Sequence, residues 1–325
     1  MKRGRFFGSM IRYGAIAAAV LAIAGCGGGG GDGDGGATID VTAANKDTVA
    51  RAAVVALRGG AELNFAGGGV AGGPAVVAKG TRDAMAAVLR AGNVLSSRET
   101  PQGLVDMGDM AADFCPGGGT APATLDDANN DGVPDKSEWI TVVLTDCLQD
   151  DGSVVKGSLG VSNFELTASS VSFDARMTDL KFTAVSGGSA TYDGVFAFES
   201  TTTARITVAG SLAIDIVHPL YKDLVTLQDK YALVMTYASG QTTIRANGNI
   251  RSERAGGTVV LKTPEDIVVS DYELYPHAGR IEARGKKGSV TLTPLPTSQV
   301  QIDFDQGDGV PYEDTTVVNW DFFLF

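Results

Sequence analysis

Residues 171–178 read VSFDARMT, and apolar and polar side chains alternate strictly along this stretch. Successive side chains of a strand point to opposite faces, so the pattern predicts a strand with one buried face and one wet face. The same alternation recurs at 212–216 (LAIDI) and at 300–304 (VQIDF). We therefore expect antiparallel sheet, which commonly faces water on one side.

Short turn motifs separate these runs at hairpin spacing. They are 150–152 (DDG), 239–240 (SG), 247–248 (NG), 285–288 (GKKG) and 308–309 (DG). Asn-Gly is the clearest signal, because a type I′ turn needs positive φ at both central residues. Residues 218–228 (HPLYKDLVTLQ) interrupt the pattern, and we interpret them as a longer connection with a helical turn.

The spacing from Trp139 to Phe325 predicts roughly ten to thirteen strands in an antiparallel meander. So many strands rarely stay as one flat sheet. The predicted fold is mainly β, with a small helical N-terminal part and a large antiparallel meander sheet that is curled or barrel-like. The antiparallel β domain is expected to span 148–325.

Residues 38–114 form the predicted helical segment, which packs on the sheet. A first helix is expected over 46–57, with Asn45 as its N-cap and Gly59-Gly60 as its stop. Its small apolar residues share one face at Val49, Ala52, Ala53 and Ala56. A second helix is expected over 82–95, whereas 105–114 fits neither class clearly.

Residues 1–25 begin with basic side chains and continue into an apolar run, AIAAAVLAIA. This is the pattern of a secretory signal peptide, and the run is too short to span a bilayer. Residues 23–26 (IAGC) resemble the lipobox of bacterial lipoproteins. The resemblance implies cleavage before Cys26 and lipidation of its thiol. The alternative is an ordinary signal peptide with a chance cysteine.

The stretch after Cys26 is a predicted glycine-rich tether covering 26–37. Residues 27–36 read GGGGGDGDGG and have no side chain able to pack. In the lipoprotein family, an aspartate after the lipidated cysteine marks inner-membrane retention, and this chain has Gly27 there. Polyglycine after the cysteine also resembles surface lipoproteins of some Gram-negative bacteria. We therefore expect an outer-membrane lipoprotein, either periplasmic or surface-exposed.

Residues 127–138 (DANNDGVPDKSE) have the spacing of a calcium loop. Calcium takes oxygen ligands at positions 1, 3, 5, 7, 9 and 12 of such a loop. The predicted ligands are Asp127, Asn129, Asp131, the Val133 carbonyl, Asp135 and Glu138. Gly132 falls at position 6, where the chain turns sharply. The sequence therefore predicts bound Ca²⁺, and the alternative is an acidic surface turn without metal.

The flanks of this loop differ from those of a paired EF-hand. Pro134 occupies position 8, where it has no N–H for pairing with a second loop. The segment 120–125 is too short for an EF-hand helix and contains Pro122, and the segment 139–144 (WITVVL) is typical of a strand. The loop resembles thrombospondin type-3 and related bacterial calcium loops. That resemblance implies a structural site rather than a sensor.

Two cysteines remain once Cys26 is assigned to lipid, namely Cys115 and Cys147. In an oxidising compartment we expect them to form a disulfide, and the alternative is a pair of buried thiols. The bond would close a loop of about 33 residues and stabilise the fold by roughly 3.7 kcal/mol on chain-entropy grounds. Residues 115–147 are thus a predicted disulfide-bracketed calcium loop.

Charge and motifs restrict the function. The formal charge is −12, and removal of 1–25 leaves 22 basic against 38 acidic residues, a net charge of −16. Nucleic acid is therefore excluded as a partner, since phosphate binding needs a basic face. Only His218 and His277 could serve as histidine bases, and neither lies in a hydrolase motif. Residues 303–309 (DFDQGDG) could form a second cation site, but a hairpin turn is favoured.

We predict no catalytic residues. The leading hypothesis is an outer-membrane-anchored, calcium-stabilised lipoprotein that acts as a non-enzymatic structural or binding protein of the cell envelope. Its partners would be the membrane, through the N-terminal lipid, and an unknown protein or hydrophobic ligand. The alternative is a periplasmic carrier that holds a hydrophobic ligand in a curled sheet, and a hydrolase is the least favoured hypothesis.

Overall fold

The structure, a computed structural model, describes the chain in segments. These are residues 36–62, 103–129, 135–150, 152–166, 170–185, 187–201, 203–219, 221–238, 240–270, 275–296, 298–310 and 312–323. The predicted signal peptide, Cys26, most of the tether and the predicted helix at 82–95 lie outside the described residues.

Strands dominate the described segments. The helices are α1 (Lys46–Glu62) and the short α2 (Ala111–Phe114). The strands are β1 (Gly103–Asp109), β2 (Gly118–Thr120), β3 (Pro122–Asp127), β4 (Ile140–Leu148), β5 (Val154–Leu166), β6 (Val171–Thr183), β7 (Ser189–Ser200), β8 (Thr203–His218), β9 (Tyr221–Gln228), β10 (Ala232–Ala238), β11 (Gln241–Ser252), β12 (Gly257–Ser270), β13 (Ala278–Arg284), β14 (Ser289–Leu295), β15 (Gln299–Asp305) and β16 (Asp314–Asn319). A 3-10 helix, Trp320–Phe322, follows β16.

The strands form one antiparallel sheet of sixteen strands whose order largely follows the chain. Strands β9 and β10 share one position, since both lie between β8 and β11, end to end. In the described part of the chain, thirteen strands (β4 to β16) follow Trp139. The prediction of a mainly β fold with a large antiparallel meander is confirmed.

Consecutive strands of a meander run in opposite directions, so their connections alternate between the two ends of the sheet. We call the end that carries the β3–β4 connection (128–139) the loop end. The other end, which carries the β11–β12 turn (253–256) and the β13–β14 turn (285–288), is the base end.

The predicted alternation is confirmed by burial. In β6, Phe173, Ala175 and Met177 are at most 2% exposed, whereas Arg176 between them is exposed. Residues of β3 to β15 contribute to a single apolar core. One face of the sheet is therefore buried along nearly its whole width.

Helix α1 lies within that core. Its predicted apolar face is fully buried, with Val49, Ala52, Ala53 and Ala56 at most 1% exposed. The helix contacts β9, β10, β11, β13 and β14, and Ala50 and Val54 on its other sides are buried as well. A helix buried on nearly all sides lies inside a core, so the sheet curls around α1. No helix in the described segments is long and apolar enough to cross a membrane.

The predicted stop of this helix at Gly59-Gly60 is wrong, because α1 continues to Glu62. A Cβ on Gly59 would lie 2.6 Å from Ile214 Cδ1, and one on Gly60 would lie 3.0 Å from Leu233 Cδ1. The two glycines let the strands approach the helix backbone closely. Tyr231 completes this contact, since its hydroxyl donates to the Ala56 carbonyl at 3.1 Å.

Two predictions about the middle of the sheet are also wrong. Asn247-Gly248 lies inside β11 instead of in a turn, and a Cβ on Gly248 would lie 2.6 Å from Tyr231 Cα. Residues 218–228 contain no helical turn: His218 pairs with Tyr221 across a tight hairpin, and Tyr221–Gln228 is strand β9. Gly248 is needed because the backbone of β11 packs closely on Tyr231, and residues 221–228 are extended because they pair with β8.

The predicted helical segment 38–114 is only partly helical. Gly103–Asp109 is strand β1, which pairs with β3 across Val105 and Leu125. Cross-strand pairing therefore overrides the local pattern. The predicted turns at 285–288 and 150–152 are confirmed by bonds from Gly285 N to Gly288 O (3.0 Å) and from Gly152 N to Gln149 O (2.9 Å).

Candidate metal centre and buried carboxylates

The predicted calcium loop connects β3 to β4 at the loop end. Its two ends are paired: the Asp126 N–H donates to the Trp139 carbonyl at 2.9 Å, and Leu125 faces Ile140. Both flanks are strands, which confirms that the 139–144 flank is not a helix. The loop is thus the tip of a β-hairpin.

Glu138 joins the two ends of this loop. The residue is only 4% exposed. Its Oε1 accepts the backbone N–H of Ala128 (2.8 Å) and of Asn129 (3.4 Å), and its Oε2 accepts the N–H of Asp135 (2.9 Å). In the described part of the chain Glu138 forms no ion pair. A buried carboxylate without a counter-charge is costly, so this position favours a cation.

Of the other predicted ligands, Asn129 and Asp135 contact Glu138 through their backbone N–H groups. Asp127 ends β3 and is 4% exposed. Asn129 and Asp135 meet across the loop, with Asn129 Nδ2 donating to Asp135 Oδ2 at 2.7 Å. Asp131 and Val133 lie outside the described residues. Within the described segments, no three His, Cys, Asp or Glu side chains form a group that could hold a metal.

The residues that the structure describes fit the donor chemistry of calcium. Calcium prefers carboxylate, amide and carbonyl oxygens. A carboxylate oxygen has two lone pairs, so each Glu138 oxygen can keep its N–H bond and also ligate a cation. Asn129 would present Oδ1 after its side-chain amide rotates by about 180°. A bound ion would supply the positive charge that Glu138 otherwise lacks.

The loop is held firmly against β5 and β6. The Asn163 N–H donates to the Lys136 carbonyl at 2.5 Å, and Lys136 Nζ lies 3.1 Å from Glu165 Oε2. The Arg176 guanidinium lies 4.5 Å from the centre of the Trp139 ring. These contacts fix the C-terminal half of the loop on the outer face of the sheet.

The predicted disulfide is confirmed. Cys115 and Cys147 are paired with their Cα atoms 4.5 Å apart, and both are buried. The pair lies toward the base end, where Gln149 Nε2 also donates to the Phe114 carbonyl at 2.8 Å. The 115–147 segment is therefore joined at its base by a covalent bond, with the predicted calcium loop at its tip.

Another buried carboxylate, Asp223 in β9, was not predicted. It is 5% exposed and accepts three hydrogen bonds: from Tyr221 Oη (2.8 Å), Ser252 Oγ (2.7 Å) and Arg254 N (3.0 Å). The spacing of Tyr221 and Asp223 places both side chains on one face of a strand. This signal was present in the sequence but was hidden by the helical interpretation of 218–228.

Two arginines flank Tyr221. The Arg51 guanidinium lies 5.3 Å from the ring centre and the Arg254 guanidinium 4.9 Å from it. Burial, and then the nearby charge of Asp223, raise the pKa of Tyr221 far above its ordinary value of 10.0. Burial lowers the pKa of Arg51. This cluster is at the base end and has cationic groups of its own.

The histidines do not share a site. His218 closes the β8–β9 hairpin at the base end. His277 lies at the loop end, where its N–H donates to the Val268 carbonyl at 3.0 Å. Residues 303–309 end β15 and begin its connection to β16, as a hairpin interpretation requires. There Asp305 Oδ1 accepts the Gly307 N–H at 2.6 Å.

Comparison with known proteins gives no relative, because no family model, no curated protein and no solved structure matches this chain.

Proposed function

We propose that this chain is a calcium-stabilised lipoprotein of the Gram-negative outer membrane, which holds a rigid β body at the envelope as a non-enzymatic structural or binding protein. The observation that carries this proposal is the Glu138 loop. It combines a buried carboxylate that forms no ion pair with any residue the structure describes with the ligand spacing of a structural calcium site.

The position of α1 favours a structural or binding role over a carrier role. A carrier needs an interior space for its ligand. Here α1 occupies the concave face of the sheet, with its backbone close to Ile214 and Leu233. The periplasmic-carrier alternative would require α1 to leave this position.

A hydrolase is the least supported function. A catalytic base must lie within hydrogen-bond reach of the nucleophile that it activates. His218 and His277 are at opposite ends of the sheet, so they cannot act together. The Asp223 cluster contains Ser252, yet the Ser252 hydroxyl donates to a carboxylate and has no histidine beside it among the residues of this cluster.

Lipid anchoring is supported by the sequence around Cys26 and by the way the chain enters the fold. Residues 36–41 are fixed to the base end: Thr38 N donates to the Thr258 carbonyl (2.9 Å), and Val41 N donates to the Lys287 carbonyl (2.8 Å). A tether that enters at a fixed point can hold the body at one distance range from a bilayer. The lipidation itself would attach several acyl chains, which together bind membranes firmly.

Expression of the full chain in a Gram-negative host tests the anchor. We expect the wild-type protein to sediment with outer membranes and to stay there after high-salt and carbonate washes. The Cys26→Ala variant should be soluble or should retain its signal peptide. Cys26→Ala protein that is processed and still fractionates with outer membranes would overturn the proposal. The matched control is Ser9→Ala, which leaves the lipobox intact.

A further inference from the structure

The N-terminal segment 36–41 lies between two neighbouring hairpins of the base end. Thr38 bonds Thr258 twice, through its N–H to the Thr258 carbonyl (2.9 Å) and through its Oγ1 from the Thr258 N–H (2.8 Å). One residue later the chain bonds the β13–β14 turn, where the Lys286 N–H donates to the Ile39 carbonyl at 2.8 Å. The first described residues of the chain are therefore fixed at this end of the body.

The short tether between Cys26 and Gly36 limits which end of the sheet can lie near a lipid on Cys26. Ten residues separate Cys26 from Gly36. A flexible Gly-rich chain of ten residues spans about 16–19 Å on average, and at most about 35 Å when fully extended. Strands β11 and β12 have 12 and 14 residues, so the loop end lies roughly 40 Å from the base end along them. A lipid on Cys26 holds the base end near the bilayer and leaves the loop end far from it.

Charge agrees with this orientation. The two hairpins that hold residues 36–41 carry five exposed basic residues, which are Arg251, Arg254, Arg284, Lys286 and Lys287. They also carry Glu253 and Glu282, and Glu282 pairs with Arg284 at 3.3 Å, so the hairpins keep an excess of positive charge. The chain as a whole is strongly acidic. Basic residues near a membrane surface are attracted to anionic headgroups. The β15–β16 connection lies at the same end beside the β13–β14 turn and is acidic, so the two hairpins are the basic part of this end.

We propose that the base end of the sheet is the membrane-facing surface of this protein. Its β11–β12 and β13–β14 hairpins lie against the anionic phosphate groups of the lipid headgroups, and the calcium loop points away from the bilayer. This inference rests on the proposed lipid anchor at Cys26. It adds an orientation, a contact surface and the chemistry that the surface recognises.

Depth-dependent quenching tests the orientation. The lipidated full chain is reconstituted into vesicles of phosphatidylcholine and phosphatidylglycerol that carry a nitroxide on a fraction of the headgroups. A fluorophore is attached at Lys287→Cys in the base end or at Thr201→Cys in the β7–β8 turn of the loop end. We expect the label at 287 to be quenched several-fold more strongly than the label at 201. Equal quenching, or stronger quenching at 201, would overturn the proposal.

A charge reversal tests the recognised chemistry. Lys287→Glu replaces one basic residue of the contact surface, and Arg205→Glu makes the same change at an exposed site toward the loop end. With the label placed at Lys286→Cys, Lys287→Glu should reduce its quenching in vesicles that contain phosphatidylglycerol, and Arg205→Glu should not. Equal effects of the two variants would show that the hairpins do not contact anionic phosphate.

Failure of the anchor and failure of the orientation can be told apart. A second form, in which a histidine tag replaces residues 1–26, is held on vesicles by a nickel-chelating lipid. If the cell-made protein carries no lipid but this form shows the expected difference, the anchor is wrong and the orientation stands. If both forms bind vesicles without a difference between 287 and 201, the orientation is wrong.

Discussion

Glu138 and Asp223 are two buried carboxylates at opposite ends of the sheet, and each accepts three hydrogen bonds. The bonds to Asp223 come from a tyrosine hydroxyl, a serine hydroxyl and a backbone N–H, with Arg51 and Arg254 beside the cluster. The bonds to Glu138 all come from backbone N–H groups in an acidic loop. Glu138 and Asp223 are therefore equally buried, but only Asp223 has cationic side chains beside its cluster among the described residues.

The two sites accommodate a buried negative charge in different ways. The hydrogen-bond donors of Asp223 lie on or next to the neighbouring strands β9 and β11, so they are in place as soon as these strands pair. Glu138 accepts its hydrogen bonds from the backbone of the loop whose ends it joins, and backbone N–H groups supply only partial charge. We infer that the Asp223 cluster is complete in itself, whereas the Glu138 loop needs an ion.

The largest expected effect comes from breaking the Asp223 cluster. Asp223→Ala leaves the Ser252 hydroxyl and the Arg254 N–H without an acceptor inside the fold. Hydrogen bonds to a charged group are worth about 1.5–3 kcal/mol each but do not add fully, so we expect a loss of about 3 kcal/mol in the free energy of unfolding. Urea unfolding with and without calcium measures it.

The loss should be the same in calcium and in chelator, because the cluster does not depend on the ion. The matched control is Asp215→Ala, an exposed aspartate of neighbouring strand β8. It should change the stability by less than about 0.5 kcal/mol. A large loss for Asp215→Ala, or a loss for Asp223→Ala that calcium reverses, would contradict the comparison.

The next effect is a loss of stability at alkaline pH. Burial raises the pKa of both Tyr221 and Tyr231 far above the ordinary 10.0. Below pH 10 the folded and unfolded chains both keep these protons, so there is no effect. Above pH 10 the unfolded chain loses them while the folded chain keeps them, and stability should fall by about 1.4 kcal/mol per pH unit for each tyrosine.

Tyr221→Phe should halve the loss of unfolding free energy per pH unit above pH 10, and Tyr231→Phe should do the same. Unfolding in urea at several pH values from 9 to 12 measures both, with exposed Tyr312→Phe as the matched control. An unchanged slope in Tyr221→Phe would mean that the hydroxyl next to Asp223 is not held in its protonated form by the fold.

The sequence predicts the fold class well, because strict alternation reports directly on which face of a strand is buried. Prediction from the sequence fails where the role of a residue depends on contacts with distant parts of the chain. Gly59-Gly60 has the local signature of a helix stop, yet it makes room for Ile214 and Leu233. Asn247-Gly248 has the signature of a turn, yet Gly248 makes room for the backbone of Tyr231.

The ligands predicted for the candidate metal centre are close to one another in sequence. Asp127, Asn129, Asp135 and Glu138 were placed by spacing alone. The burial of Glu138 and its backbone bonds were not, since they depend on how β3 pairs with β4. The Asp223 cluster joins residues of β9 and β11 with Arg51 of α1, and no local pattern connects those segments.

The most direct test of the account is the melting temperature of three proteins, each measured first in chelator and then in 10 mM Ca²⁺. If this concentration is about ten times the dissociation constant, calcium adds about 1.4 kcal/mol, or roughly 3–5 °C. We expect this rise in the wild type and in Asp223→Asn, and no rise in Glu138→Gln. A wild type that calcium leaves unchanged, or an equal rise in Glu138→Gln, would contradict the account.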